Sequence, residues 1–177
     1  GPWEKYQSER ANDDELRLWG ENRALNGAIA TGIVSGLFVV DLDSEAATAA
    51  FFARGVPETP IVKTAKGRHV YFRYPGFAVK NSAGKIGRGI DVRGEGGYVV
   101  CPGSIHPTGA RYEWEKSPDD VPIAQAPDWL LAELTREPQP HPVIPCAVQH
   151  ASAAPQTRDP GDRAQHVDGT AQSPGSR

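Results

Sequence analysis

The sequence predicts an α+β domain: an antiparallel-rich sheet with helices flanking it. Three observations point to this class. Apolar and polar residues alternate with period two over residues 39–43, 67–72 and 89–93, as half-buried strands require. Glycines and prolines punctuate residues 61–114 at short intervals, which suits brief strands joined by tight turns. Helix-start signals stand outside that region, near both of its ends.

The elements follow in order. Asp13, Asp14 and Glu15 lead into Leu16, Leu18 and Trp19, a short helix whose acidic opening suits its positive N-terminal end. A strand is expected over residues 37–42. Ser44 then caps a helix running through Arg54, with Ala47, Ala50 and Phe51 as its buried stripe, and Gly55 and Pro57 end it. Short strands occupy the chain from Ile61 to Trp114, including one at residues 98–101. Pro127 in a first helical turn opens a closing helix with Leu130, Leu131 and Leu134 on one side. There is no internal repeat.

Chemistry concentrates on three of these strands. In Val39-Val40-Asp41-Leu42-Asp43 the two carboxylates share a face, where their repulsion calls for a compensating cation. Such a pair suits one or two hard divalent ions, although a strand ending in a polar turn gives the same pattern. In residues 67–72, Val70 and Phe72 take one face and leave His69 with Tyr71 on the other. In residues 89–93, Ile90 and Val92 face one way, and Asp91 and Arg93 the other. If the strands are neighbours, one sheet face carries three carboxylates, an imidazole and cations, the equipment of phosphoryl or nucleotidyl transfer. The simpler alternatives are a His69 satisfied by a backbone group and an Asp91 salt-bridged to Arg93 or Arg88.

Charge is distributed unevenly. The 177 residues carry a formal charge of −3, which argues against bulk nucleic-acid affinity. Residues 61–93, however, hold Lys63, Lys66, Arg68, Arg73, Lys80, Lys85, Arg88 and Arg93 against Asp91 alone, a local charge of +7. This patch can draw in phosphates; strand edges also use Lys and Arg to discourage pairing. The glycines between 84 and 97 lack a Gly-Lys-Ser/Thr ending, so they form turns and not a Walker loop. Cys101 and Cys146 offer neither metal spacing nor a disulfide framework, consistent with a reducing cytoplasm. No apolar run is long enough to cross a membrane and no signal-peptide pattern opens the chain.

The ordered motifs resemble the primase-polymerase domain of the archaeo-eukaryotic primase superfamily. Residues 39–43 stand for its acidic hhhDhD/E motif, Gly67-Arg68-His69 for its s-x-H motif, and Ile90-Asp91 for its hD motif. Residues 31–36, 80–85, 93–100 and 102–109, with Tyr112 and Trp114, extend the likeness over roughly residues 1–135. The resemblance implies an RNA-recognition-like catalytic sheet with an open face. It implies that Asp41, Asp43 and Asp91 hold Mg2+ or Mn2+, and that His69 contacts the incoming triphosphate. Lys63, Arg68, Arg93, Ser104 and His106 are further nucleotide-binding candidates, and Lys80, Lys85 and Arg88 are nucleic-acid-binding candidates.

The implied activity is synthesis or extension of primers on single-stranded DNA from (deoxy)ribonucleoside triphosphates, in replication of a plasmid or phage. A replicative helicase is a candidate partner. A catalytically silent nucleotide- or nucleic-acid-binding module and a two-metal nuclease are the alternatives. The chain starts Gly1-Pro2-Trp3 and contains no methionine, so a native start, with the helix and strand such domains carry there, is expected upstream. Residues 1–137 form the expected domain. Residues 138–177, rich in Pro, Gln, Ser and Gly, are expected to be a disordered tail or linker in which His141, His150 and His166 are solvated.

Overall fold

The computed structural model describes residues 3–22 and 25–136, all within the first of two units, Gly1–Pro138. The expectations for residues 138–177, including the three tail histidines and Cys146, lie outside the described residues. A 3₁₀ turn, Glu4–Gln7, precedes α1 (Asp13–Glu21), β1 (Ala28–Ala30), β2 (Leu37–Leu42) and α2 (Glu45–Phe52). Then come β3 (Ile61–Lys63), β4 (Arg68–Arg73), β5 (Ser82–Gly87), β6 (Ile90–Arg93), β7 (Tyr98–Val100), β8 (Glu113–Lys116) and α3 (Asp128–Thr135).

Six strands form one sheet in the order β5-β6-β2-β4-β3-β8, and every neighbouring pair is antiparallel. The predicted α+β class with an antiparallel sheet is therefore what the chain adopts. The strand expected at 98–101 lies outside this sheet. As β7 it pairs only with β1, in a separate two-stranded ribbon. The reason lies in the turn after β6. Gly96 takes φ 64°, and the carbonyl of Gly94 accepts the hydroxyl of buried Thr31 at 2.7 Å, which draws the chain away from the sheet and onto the segment after β1.

Strand alternation gives the sheet two different faces. Phe38, Val40 and Leu42 of β2, Val70 and Phe72 of β4, and Ile90 and Val92 of β6 build the main core with Ala47 and Phe51 of α2 and Leu130 of α3. Phe51 is fully buried and stabilises the fold by about 2–3 kcal/mol through that burial alone. The opposite face carries a smaller apolar cluster, Val39, Val62, Tyr71 and Val99, and beside it the polar residues described below.

The helices follow their caps. The Ser44 side chain accepts the Ala47 amide at 3.1 Å to open α2, which ends at Phe52, two residues short of the predicted Arg54, before Gly55 at φ 77°. Its buried positions are Ala47, Thr48 and Phe51. Ala50 is exposed, because the core-facing side of the helix runs through Thr48, whose hydroxyl is met by the Ser44 carbonyl at 2.9 Å. Pro127 is the N-cap of α3, with extended ψ of 152°, one residue outside the turn where it was expected.

At the N-terminal end, Asn12 and Glu15 form a reciprocal capping box on α1. The Asn12 amide, then Lys5 and Tyr6, hold the Glu15 carboxyl down to about 2. A lowered folded-state value contributes stability that is complete above the ordinary 4.5 and is lost as pH falls toward about 2. Acid titration followed by Trp3 and Trp19 fluorescence is expected to show the N-terminal segment loosening in that window, and Glu15→Gln is expected to remove the transition.

Candidate active site

The centre of β2 organises the polar face. Asp41 lies directly opposite His69 on β4 and directly opposite Asp91 on β6. Residues paired in this way project to the same side. The face therefore reads His69, Asp41, Asp91 across three neighbouring strands. His69 Nε2 approaches Asp41 Oδ1 at 3.4 Å. Arg93 shares the face two residues beyond Asp91, and its guanidinium stands 3.2 Å from Asp41 Oδ2 and 3.2 Å from Asp91 Oδ2. The Gly84 amide of β5 donates to Asp91 Oδ1 at 3.0 Å.

Asp43 stands just past the end of β2, exposed, where its amide donates to the Gly89 carbonyl at 2.9 Å. Its carboxyl is pushed up, first by desolvation and then by the negative charges of Asp41 and Asp91. Burial also pushes Asp41 up, but its hydrogen bonds and charge attraction to His69 and Arg93 outweigh that, so its carboxyl lies below the ordinary value. Arg93 is thus a compensating cation for Asp41 and Asp91, the carboxylates of neighbouring strands, whereas the expected pair was Asp41 and Asp43. The salt bridge from Asp91 to Arg93, one of the simpler alternatives, is present. His69 meets a carboxylate instead of a backbone group.

Tyr112 was not among the sequence candidates, although it belongs to the run that carried the resemblance. Its ring lies 5.8 Å from His69, tilted by 33°, with the His106 ring 6.3 Å away from it. The turn that places it is closed by the Tyr112 amide on the Ser104 carbonyl at 3.0 Å and the Gly103 amide on the Tyr112 carbonyl at 2.7 Å. These pairings span a loop, which is why no strand periodicity announced them. Two buried polar atoms on this face have no partner, His69 Nδ1 and the Tyr71 hydroxyl. Burial, with Cys101 and Asp41 nearby, pushes the Tyr71 phenol up. An unsatisfied buried hydroxyl costs free energy, so Tyr71→Phe is expected to raise stability by about 1 kcal/mol in chemical denaturation.

Other candidates lie elsewhere. Arg68 pairs with Leu42 and with Lys63, so both basic residues belong to the helix-bearing side of the sheet, opposite His69. Arg68 is held there by Glu115 at 2.7 Å and Glu45 at 3.0 Å. Lys85 donates to the Leu134 carbonyl of α3 at 3.0 Å. Lys80 is exposed, and exposed Arg88 lines an open cleft with Asp43 and Ser44. The charge of +7 over residues 61–93 is therefore shared between both faces of the sheet and does not form one patch. Buried Ser104 is used structurally, accepting the Gly27 amide at 3.1 Å and donating to the Gly27 carbonyl at 3.3 Å. His106 is half-buried, and its Nδ1 contacts the Thr108 hydroxyl at 2.8 Å. An apolar cavity of about 610 Å³ between the N-terminal helices and β1 contains none of these residues.

The three carboxylates are hard oxygen donors of the kind Mg2+ and Mn2+ prefer, and a cation already bridges two of them. Their chemistry fits such an ion. Among the described residues, however, no group of three or more His, Cys, Asp and Glu side chains is gathered so that it could hold a metal. No helix among the described residues is long and apolar enough to cross a membrane. No curated protein sequence matches the chain significantly. Residues 2–129 match the family model described as the N-terminal domain of bifunctional DNA primase/polymerase. With that match covering most of its length, and the motif residues in one row on one sheet face, the chain belongs to the bifunctional DNA primase/polymerase N-terminal family.

Proposed function

We propose that this domain is a metal-dependent nucleotidyltransferase of the primase-polymerase fold that makes or extends primers on single-stranded DNA. The observation that carries the reading is the row His69, Asp41, Asp91 in a chain of this family. Asp41, Asp43 and Asp91 hold Mg2+ or Mn2+, which supplies activation of a 3′-hydroxyl and neutralisation of the departing pyrophosphate. His69 donates a hydrogen bond to the triphosphate of a (deoxy)ribonucleotide, and its contact with Asp41 orients the ring. Arg93, 36% exposed, can turn from the carboxylates to the phosphates. The Tyr112 ring packs beside the histidine, and the His106 ring beside Tyr112.

The strand and its template run past the exposed cations Lys80 and Arg88. Lys63, Arg68, Lys85 and Ser104 keep only structural or peripheral roles in this reading. A plasmid or phage replication system in the cytoplasm, with a helicase acting alongside, is the setting that suits such an activity. The test is incorporation of labelled nucleotide on a primed single-stranded template with Mg2+ or Mn2+. Strand lengthening supports the reading. Shortening of the strand without any nucleoside triphosphate assigns a nuclease, and binding without either reaction assigns a silent module.

A further inference from the structure

We infer that Arg93 is a built-in stand-in for the metal, so that binding of the divalent ion and departure of the Arg93 guanidinium are one event. The inference rests on the carboxylate face being the metal-binding face. One guanidinium nitrogen lies 3.2 Å from an oxygen of Asp41 and 3.2 Å from an oxygen of Asp91, between the carboxylates of neighbouring strands β2 and β6. A cation shared between these residues and a divalent ion would compete for the same lone pairs, and like charges at such separation repel.

The surroundings allow the exchange. Side-chain exposure is 36% for Arg93, against 18% for Asp41 and 15% for Asp91, so the cation can leave while the carboxylates stay seated. Asp91 retains the Gly84 amide at 3.0 Å, and Asp41 retains His69 at 3.4 Å. A released guanidinium is a bidentate phosphate donor. Metal entry therefore frees the group that grips an incoming triphosphate, and each ligand favours the other through this one side chain. Removing Arg93 should have effects of opposite sign on the two ligands. The metal binds more tightly, having lost its competitor, and the triphosphate binds less tightly, having lost its donor.

The experiment is Mn2+ binding to the whole chain, measured by electron paramagnetic resonance without nucleotide, for wild type, Arg93→Gln, Arg93→Lys and the remote charge control Lys116→Gln. Arg93→Gln is expected to bind Mn2+ about tenfold more tightly than wild type, with Lys116→Gln unchanged. Nucleoside triphosphate affinity, measured separately, is expected to fall by about tenfold in the same variant. If Arg93→Gln fails to fold, Arg93→Lys keeps the charge but cannot reach both carboxylates, and its Mn2+ affinity is expected to lie between the two. Equal or weaker Mn2+ binding in the folded variant overturns the stand-in role while leaving the nucleotidyltransferase reading in place. Absence of saturable Mn2+ binding in every protein, Arg93→Gln included, overturns both, because the carboxylate face then binds no metal.

Discussion

Replacing Asp41 and Asp43 together with alanine is expected to lower template-directed nucleotide incorporation by at least about a thousandfold, with the protein still folded. The size of the effect follows from position. Asp41 is the middle member of the row, in contact with both His69 and Arg93, and Asp43 is the exposed carboxylate at the end of the same strand. Removing both leaves Asp91 as the sole carboxylate of the three, and one carboxylate cannot hold an ion against bulk water and Arg93. Preservation of the fold follows from the electrostatics. Asp41 is stabilised as an anion by its neighbours, whereas Asp43 is raised by burial and then by Asp41 and Asp91. Losing Asp41 costs stability, losing Asp43 relieves repulsion, and the two changes oppose one another. The main core lies on the other side of the sheet and is untouched. Primer extension beside a thermal melt checks both halves, and a folded double variant as active as an active wild type removes the metal assignment.

That row was legible in the sequence because it depends on one local rule. Period-two alternation assigns Asp41, His69, Asp91 and Arg93 to polar faces, and an antiparallel sheet that brings β4, β2 and β6 together superposes those faces. The same rule, applied to Arg68, separates it from His69, since adjacent strand residues point oppositely. Assigning both to the nucleotide went against it, and Glu45 and Glu115 are what Arg68 meets instead. Counting charge along the chain hid this, because a linear run of cations crosses both faces.

Other features were not legible for a different reason. β1 is only Ala-Ile-Ala, weak in strand propensity, and its partner Val99 lies 70 positions later than Ile29 in the chain. Ser104 staples Gly27 and Tyr112 covers His69 through pairings of comparable or shorter range that no periodicity encodes. The exposure of Ala50 in favour of Thr48 depends on how α2 is rotated against the sheet, which is set by Phe51 packing among Phe72 and Trp129. Such choices belong to tertiary packing, and they supply the lining of the site, whereas the motifs supply its charged centre.

Gly67→Ala is expected to lower stability by about 3 kcal/mol, a fall in melting temperature of roughly 10 °C, although it adds a single methyl group. Gly67 is buried where β4 begins, its amide donating to the Thr64 hydroxyl at 3.0 Å and its carbonyl accepting the Thr64 amide at 2.9 Å. A Cβ there collides with the Leu42 carbonyl oxygen and stands 2.8 Å from the Leu42 carbonyl carbon and 3.0 Å from the Ser44 nitrogen. All three are main-chain atoms, so no side-chain rotation relieves the contact. The backbone of β2 must move at the point where it carries Asp43 and the Ser44 cap. Gly20→Ala, with nothing within 4 Å of its added methyl and a place inside α1, is expected to raise stability by about 0.5 kcal/mol instead. A Gly67→Ala melt coincident with wild type removes the tight seat at Leu42. Because Gly67 precedes His69 by two residues on the way into β4, the displacement also shifts the imidazole along Asp41. Activity per folded molecule should therefore fall in Gly67→Ala and hold in Gly20→Ala, a split that separates seating of the site from stability of the domain.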